Sequence, residues 1–232
     1  MATRDSDMSG GTGTLQRPAP SAILQANPVV AVLRAGHASE YAPVIAALAA
    51  GGVRSIELTL STAGVFDLLP GLISEFGEQV EIGVGTVTTE AEAREALEAG
   101  AAFLVTPVTD VAIVRAAVES GTPVFPGGLT PTELLAGWRA GATAVKVFPA
   151  STVGPGYIAQ LRGPFPDLQV IPSGGVAIED APAWIRAGAV AVSLGGPLIG
   201  DAFKGGDLGE LTRRAKRVSS LVAEARGGGS AG

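Results

Sequence analysis

The sequence predicts an α/β protein whose fold is a single (β/α)8, or TIM, barrel. Short segments rich in β-branched residues alternate with stretches rich in Ala, Leu and Glu along most of the 232 residues. Eight such alternations are what this barrel requires. The alternative is a doubly wound sheet, which usually carries a glycine-rich loop after its first strand. Here the first strand is followed by Arg34-Ala35-Gly36-His37, which lacks that pattern.

Eight strands are predicted, each a short apolar run bounded by turn residues. In chain order they are Val29–Leu33, Ser55–Leu60, Val80–Val84, Ala102–Thr106, Pro123–Phe125, Ala144–Phe148, Gln169–Pro172 and Val190–Leu194. Helices fill the intervals, for example Glu90–Ala99, Pro131–Ala140 and Glu179–Ala187. Thr130 with Glu133 is a capping-box signal, and glycines such as Gly141 suit the left-handed position after a helix. In such a barrel the active site is expected at the carboxyl ends of the strands.

Both ends of the chain are predicted to lie outside the barrel. Residues 1–20 are rich in Gly, Ser, Thr and Pro without periodicity, which predicts a disordered leader. Residues 227–232 read Gly-Gly-Gly-Ser-Ala-Gly and predict a flexible tail. The barrel domain then covers residues 21–226.

Composition excludes several classes of function. The net charge of −6 disfavours nucleic acid and anionic membranes as partners. Without cysteine, and with a single histidine, the chain offers neither a thiol nucleophile nor a His-rich metal site. No apolar run reaches the roughly 18 residues of a membrane span, and the N-terminus lacks a secretory signal. A cytoplasmic enzyme that acts on a small molecule is the expectation.

Lys146 is the first candidate for chemistry because it interrupts an apolar strand, Ala144-Val145-Lys146-Val147-Phe148. Strand alternation places Lys146 on the face opposite the two valines, and this face is predicted to point into the barrel. Burial lowers the pKa of a lysine and supplies the free amine that Schiff-base chemistry needs. The alternative is a lysine that extends to the barrel mouth or pairs with a carboxylate. The other lysines, Lys204 and Lys216, are interpreted as solvated.

Glu57 is the second candidate, in Ser55-Ile56-Glu57-Leu58-Thr59-Leu60. Its predicted inward side chain is unusual for a strand that is buried on both faces. It suits a general acid/base, although it would also serve as an ion-pair partner of Lys146.

Four further features follow predicted strands. Arg34 suits anion binding, with a rim salt bridge as the alternative. Thr86 follows Gly85 and offers a hydroxyl, a weak signal. Glycine pairs after the last two strands suit a phosphate site built from main-chain N–H groups, although either pair alone would fit a turn. These pairs are Gly174-Gly175, which follow Ser173, and Gly195-Gly196.

The motifs in register resemble those of the class I 2-keto-3-deoxy-6-phosphogluconate (KDPG) aldolases and their 6-phosphogalactonate and 4-hydroxy-2-oxoglutarate relatives. The resemblance extends from about residue 23 to about residue 225. The matching stretches are Val-Ala-Val-Leu-Arg (30–34), Gly-Gly-Val (51–53), Ile-Glu-Leu-Thr-Leu (56–60), Gly-Val-Gly-Thr-Val (83–87), Val-Thr-Pro (105–107), Phe-Pro-Gly (125–127), Thr-Pro-Thr-Glu-Leu (130–134), Val-Lys-Val-Phe-Pro-Ala (145–150), Gly-Pro-Phe-Pro (163–166) and Ser-Gly-Gly-Val (173–176).

The resemblance implies a role for each candidate. Lys146 would be the Schiff-base lysine and Glu57 the general acid/base. Thr86 and Arg34 would hold the pyruvate carboxylate. The remaining substrate contacts would be Pro107 and Phe148 at the pyruvyl pocket, Gly174, Gly175, Gly195 and Gly196 around the distal phosphate, and Ser173. The family resemblance also implies a homotrimer that needs no cofactor and no metal.

Three positions depart from the family pattern. Ser61 stands where some members have an arginine, and Ser173 stands where a threonine is frequent. Gly196, followed by Pro197, aligns with a phosphate-binding serine. This loses a hydroxyl, and Pro197 has no N–H. Phosphate recognition is therefore expected to be weaker, which leaves open a shorter or unphosphorylated substrate or a broad specificity.

The resulting hypothesis is a retro-aldol lyase that releases pyruvate and an aldehyde such as glyceraldehyde 3-phosphate. A phosphosugar isomerase or epimerase is the second hypothesis, in which Glu57 abstracts a proton and Lys146 acts only electrostatically. A non-catalytic trimeric scaffold is the third, and the Lys146/Glu57 pair disfavours it.

Overall fold

A computed structural model describes residues 16–227. The α-helices are α1 Ala22–Ala26, α2 Tyr41–Ala50, α3 Val65–Phe76, α4 Glu90–Glu98, α5 Val111–Glu119, α6 Pro131–Arg139, α7 Tyr157–Arg162, α8 Ala181–Arg186, α9 Gly196–Ile199 and α10 Leu208–Gly227. The strands are β1 Val29–Leu33, β2 Ser55–Thr59, β3 Glu81–Gly85, β4 Leu104–Val105, β5 Val124–Phe125, β6 Gly127–Gly128, β7 Val145–Val147, β8 Val170–Pro172 and β9 Val192–Leu194. No helix in this range is both long and apolar enough to cross a bilayer.

All strand pairs are parallel, and they form two sheets. The larger sheet has the order β5-β4-β3-β2-β1-β9, and the smaller has the order β6-β7-β8. Hydrogen bonds also join segments of the two sheets: the Thr143 N–H donates to the Val124 carbonyl at 3.0 Å, and the Val190 N–H to the Val170 carbonyl at 2.9 Å. The predicted α/β class with a curved parallel sheet is confirmed.

All eight predicted strands are present, but most are shorter than the apolar runs that predicted them. The structure contains one strand that was not predicted, β6, which follows β5 after Pro126. Proline cannot donate to the ladder, so the run is interrupted there. Glycine is depleted in strands, which is why Gly127–Gly128 gave no strand signal. A side chain at Gly127 would lie 2.4 Å from the Pro107 carbonyl oxygen, so only glycine allows this close approach.

The alternation of side chains in β7 is as predicted. Val145 and Val147 are fully buried in the large cluster that contains the apolar faces of the helices. Ala144 belongs to a smaller cluster of strand residues, together with Val30 and Phe103. Lys146, between the two valines, therefore faces the interior that the strands surround.

The predicted leader needs a correction at its end. Residues 1–15 lie outside the described range, as do residues 228–232 of the predicted tail, and Gly227 is the last residue of α10. Within residues 16–20, the Arg17 guanidinium lies 3.4 Å from the centre of the Trp138 ring. It also donates to the carbonyls of Trp138 and Ala142 at the end of α6. Contacts with the domain therefore begin before residue 21.

Replacing Arg17 with Ala should lower the free energy of unfolding by about 1–2 kcal/mol, because the stacking and both hydrogen bonds are lost. Urea unfolding followed by circular dichroism measures this. Arg115→Ala is the matched control, since Arg115 is exposed on α5. Equal effects of the two substitutions would contradict a stabilising role for the segment before residue 21.

Candidate active site

One cavity of about 380 Å³ is lined by all eleven predicted site residues. It lies at the carboxyl ends of the strands. Its predicted lining residues are Arg34 after β1, Glu57 in β2, Thr86 after β3, Pro107 after β4, Lys146 and Phe148 in and after β7, Ser173, Gly174 and Gly175 after β8, and Gly195 and Gly196 after β9. A larger cavity of about 650 Å³ is lined by residues that precede strands, such as Pro28 and Gln169, and contains none of these residues.

Lys146 carries a buried amine that forms no ion pair with a carboxylate in the described part of the chain. Its side chain is 7% exposed, and its Nζ lies 5.1 Å from the centre of the Phe148 ring. Within residues 16–227 no carboxylate oxygen lies within the 4.0 Å of an ion pair with it. Burial lowers the pKa of Lys146; the Glu57 charge opposes this shift and the Arg34 charge adds to it. The neutral, nucleophilic form is therefore favoured relative to an exposed lysine.

Glu57 is the acidic counterpart. It is 2% exposed, and its Oε2 has no hydrogen-bond partner among the described residues. Burial raises the pKa of Glu57, and the positive charges of Lys146 and Arg34 partly oppose the rise. A buried carboxylate oxygen without a partner is rare in proteins and indicates a group that is kept for a ligand.

Gly85 makes room for the Glu57 carboxyl group. Residues Thr59 of β2 and Gly85 of β3 are paired across the two strands. A Cβ atom on Gly85 would lie 1.9 Å from the Glu57 Oε1. The Glu57 side chain thus occupies the space in which the neighbouring strand would otherwise carry a side chain.

Thr86, directly after Gly85, has a strained backbone. Its φ angle is 61°, the only positive value for a non-glycine residue in residues 16–227. A β-branched residue is disfavoured there, and such strain is concentrated at functional sites. Thr86 lines the cavity directly after β3, the strand that pairs with the strand of Glu57.

Arg34 lies at the exposed rim and forms no ion pair within the described part of the chain. The predicted alternative, a rim salt bridge, is therefore absent there. Its charge acts on both buried groups, since it lowers the pKa of Lys146 and of Glu57. A free guanidinium beside a buried amine suits a substrate carboxylate.

The glycine pairs form the other side of the cavity. Gly174 and Gly175 have φ angles of 84° and 76°, and a Cβ atom on Gly174 would lie 2.8 Å from the Phe148 ring. The N–H groups of Gly174, Gly175, Gly195 and Gly196 donate no hydrogen bond within the described residues. Main-chain N–H groups without protein partners in the lining of a cavity suit an anion. The Ser173 hydroxyl, by contrast, lies 3.3 Å from the Ser193 hydroxyl.

Sequence reasoning missed seven residues that line the same cavity. They are Val32, Thr59, Pro197, Ile199, Gly200, Phe203 and Lys204. Thr59 shares the inward face of Glu57, so strand alternation was a usable signal for it. Lys204 was interpreted as solvated; it is exposed, but it also contributes to the cavity wall. No sequence pattern indicated that the segment after α9 turns back over the cavity.

Comparisons with known proteins find similar sequences and similar structures. Residues 21–213 match the family model described as KDPG and KHG aldolase, KHG being 4-hydroxy-2-oxoglutarate. The chain is 32% identical over 196 residues to the 2-dehydro-3-deoxy-6-phosphogalactonate aldolase of Escherichia coli K12, which covers 84% of this chain and 93% of that protein.

Two solved structures are also similar. One is the KDPG aldolase of Legionella pneumophila with pyruvate captured as a covalent carbinolamine intermediate, with a TM-score of 0.78, 28% identity, and coverage of 85% of this chain and 97% of the other. The second is a cube-shaped protein cage designed by fusing symmetric oligomeric domains, with a TM-score of 0.80, 29% identity, and coverage of 87% and 74%.

Replacing Gly85 with Ala should displace the Glu57 carboxyl group and lower kcat for the chain's reaction by at least about tenfold, the lower range for a misplaced acid/base. Gly83→Ala is the matched control on the same strand, because its Cβ would meet the Phe103 ring instead. Gly83→Ala should lower the melting temperature with less effect on kcat. Equal kcat values for the two variants would show that Gly85 does not position Glu57.

The pKa of Lys146 should move in opposite directions when its two charged neighbours are neutralised. Once Glu57 has ionised along the pH series, its charge favours the Lys146 ammonium, so Glu57→Gln lowers the pKa of Lys146 further; Arg34→Gln removes a charge that disfavours the ammonium, so the pKa rises. Competitive labelling with acetic anhydride over a pH series, followed by peptide mapping, reports the Lys146 amine. Arg34→Lys, which keeps the charge, should restore the wild-type curve. Shifts in the same direction for both neutral variants would contradict this coupling.

Proposed function

Because the chain belongs to the KDPG and KHG aldolase family, we propose that it is a class I aldolase that forms a Schiff base through Lys146. Its substrate is a 2-keto-3-deoxy-6-phospho sugar acid, such as KDPG, or 4-hydroxy-2-oxoglutarate. The products are pyruvate and an aldehyde, glyceraldehyde 3-phosphate in the case of KDPG. The observation that carries this proposal is the buried Lys146 amine in the same cavity as the Glu57 carboxyl group, whose Oε2 has no partner among the described residues.

The first half of the reaction forms the iminium ion. Burial favours the neutral amine of Lys146 and the protonated carboxyl of Glu57. The amine adds to the C2 ketone, and a proton passes from nitrogen to oxygen to give the carbinolamine. Glu57 then protonates the C2 hydroxyl, water leaves, and Glu57 becomes a carboxylate beside the iminium.

The second half breaks the C3–C4 bond. The Glu57 carboxylate takes the proton of the C4 hydroxyl, the aldehyde leaves, and the bonding electrons pass into the iminium to form an enamine. Glu57 returns its proton to C3, which becomes the methyl group of pyruvate. Water adds to C2 and gives a proton to Glu57, and collapse of the carbinolamine releases pyruvate and the free amine of Lys146.

The remaining cavity residues bind the two ends of the substrate. Arg34 and the Thr86 hydroxyl hold the carboxylate beside the ketone, with Pro107 and Phe148 against the pyruvyl carbons. The four glycine N–H groups and Ser173 contact the distal end. The support for these roles is that all of these residues line one cavity and that the N–H groups have no partner within the described chain.

The finer architecture is part of the same proposal. The sheets close into one (β/α)8 barrel, with β5 and β6 acting as a single interrupted strand. This is supported by the pairing of β9 with β1, by the bridge between Ser173 and Ser193, and by the hydrogen bonds that link the sheets. The protein acts as a cytoplasmic homotrimer, for which similarity to a cage of fused symmetric oligomeric domains is support.

Exchange of the pyruvate methyl protons in deuterated water tests the proposal without knowledge of the aldehyde. Wild-type protein should exchange them, because Glu57 removes a methyl proton from the pyruvyl iminium. Lys146→Arg should abolish exchange, and Glu57→Gln should slow it by roughly 10²–10⁴. Proton NMR of pyruvate measures the rate.

Lys216→Arg is the matched control for the lysine variant, since Lys216 is exposed on α10. Circular dichroism establishes that each variant is folded. Exchange by Lys146→Arg at the rate of Lys216→Arg would refute the Schiff-base reaction, and folded wild-type protein that leaves pyruvate unlabelled would favour an isomerase or a scaffold.

A further inference from the structure

Two of the chain's three lysines line the same cavity. Lys146 is the buried one, and Lys204 is the other. Lys204 ends a short 3-10 turn, Ala202–Lys204, that follows α9. It contributes to the cavity wall together with Pro197 and Gly200, on the segment that continues from the glycine pair after β9.

The turn that carries Lys204 is held in place by packing. The Phe203 ring contacts the buried Tyr41 ring edge-on, with 5.8 Å between centroids and 71° between planes. The Lys204 N–H donates to the Asp201 carbonyl at 2.7 Å, which closes the turn. The Lys204 side chain therefore extends from an anchored backbone, so its ordering on binding costs less than that of a lysine on a mobile loop.

Lys204 is also a cation on this wall of the cavity that is available to bind an anion. It forms no ion pair and no side-chain hydrogen bond within residues 16–227. The nearby Arg214 is already engaged, since it donates to the carbonyls of Leu198 and Ile199 at 2.7 and 2.9 Å. Lys204 and the four glycines, whose N–H groups have no partner in residues 16–227, line one cavity, and this combination suits an anion that carries more than one negative charge.

This site lacks the hydroxyl that its position in the family pattern predicts. Gly196 provides no side chain, and Pro197 provides no N–H. Lost hydrogen bonding to a phosphate is offset when a full positive charge faces it, because charge-assisted contacts are the stronger ones.

We infer that Lys204 is a specificity-determining residue that binds the distal phosphate of the substrate, in place of the missing serine hydroxyl. The inference rests on the proposed aldolase function and narrows it, since the substrate then carries a phosphate at the end opposite the ketone. Its aldehyde product is accordingly a phosphorylated aldehyde.

Aldol addition to saturating pyruvate isolates the phosphate contact, because the enamine is the same for every aldehyde. We compare D-glyceraldehyde 3-phosphate with D-glyceraldehyde, which differ only in the phosphate. Lys204→Gln should lower kcat/KM for the phosphorylated aldehyde roughly tenfold, the range of a charge-assisted contact discounted for exposure, and leave the unphosphorylated one nearly unchanged. Lys204→Arg should retain most of the preference.

Lys216→Gln is the control for removal of one exposed positive charge. A second variant tests the substitution of charge for hydroxyl: Gly196→Ser in the Lys204→Gln background should recover part of the preference, because a Cβ at Gly196 meets no atom within 4 Å. Cleavage of 4-hydroxy-2-oxoglutarate tests a substrate whose distal group is a carboxylate rather than a phosphate. This cleavage should depend less on Lys204 than the cleavage of KDPG does.

The inference would be overturned if Lys204→Gln lowered the preference for the phosphorylated aldehyde no more than Lys216→Gln does. It would also be overturned if the wild-type protein used both aldehydes equally well or used neither. Pyruvate proton exchange keeps this failure separate from failure of the proposed function. Exchange that persists without a phosphate preference removes the role of Lys204 alone, whereas loss of exchange in the wild type removes the aldolase reaction itself.

Discussion

The site depends on the burial of two ionisable side chains, Lys146 and Glu57, in an interior that the strands otherwise fill with apolar groups. Removing either charge from water is unfavourable, and the unfavourable term is smallest when each group is neutral. The strands do not place the two groups at ion-pair distance, so neither fully compensates the other. Burial therefore shifts both groups towards their neutral forms, the amine for addition to a ketone and the carboxyl group for proton donation.

The parallel sheet accommodates these two buried groups by leaving space for their side chains. The Glu57 carboxyl group fits because β3 carries a glycine, Gly85, where a Cβ atom would overlap it. The next residue, Thr86, adopts a left-handed backbone as the chain leaves the strand. The apolar sides of β2 and β7 pack on the helices and contribute to stability, so the inward sides are free to carry chemistry.

The cavity is electrostatically unlike the rest of the molecule. The chain has a net charge of −6, yet the exposed ionisable groups that line the cavity, Arg34 and Lys204, are both cations without ion-pair partners in residues 16–227. Their positions after β1 and after α9 suit a substrate with an anionic group at each end. Charges of this kind concentrate anionic substrates in the cleft and orient them.

The positions of Lys146 and Glu57 were predictable because strand alternation is local: a polar residue between two valines has one face available to it. The glycine pairs were predictable for a similar reason, since each directly follows a strand. Lys204 and Gly85 were not. The role of Gly85 depends on a side chain of the neighbouring strand, and that of Lys204 on the packing of Phe203 against Tyr41, which lies far away in sequence. The short strand Gly127–Gly128 was not predicted because glycine is depleted in strands, so these two residues carry no strand signal.

Reductive trapping tests the central claim, that Lys146 bonds covalently to the ketone, most directly. Protein incubated with pyruvate and sodium borohydride is analysed by intact mass and by peptide mapping. We expect one reduced pyruvyl adduct per chain, on Lys146, with Lys204 and Lys216 unmodified. Folded protein that carries no adduct, or carries it on another lysine, would contradict the account.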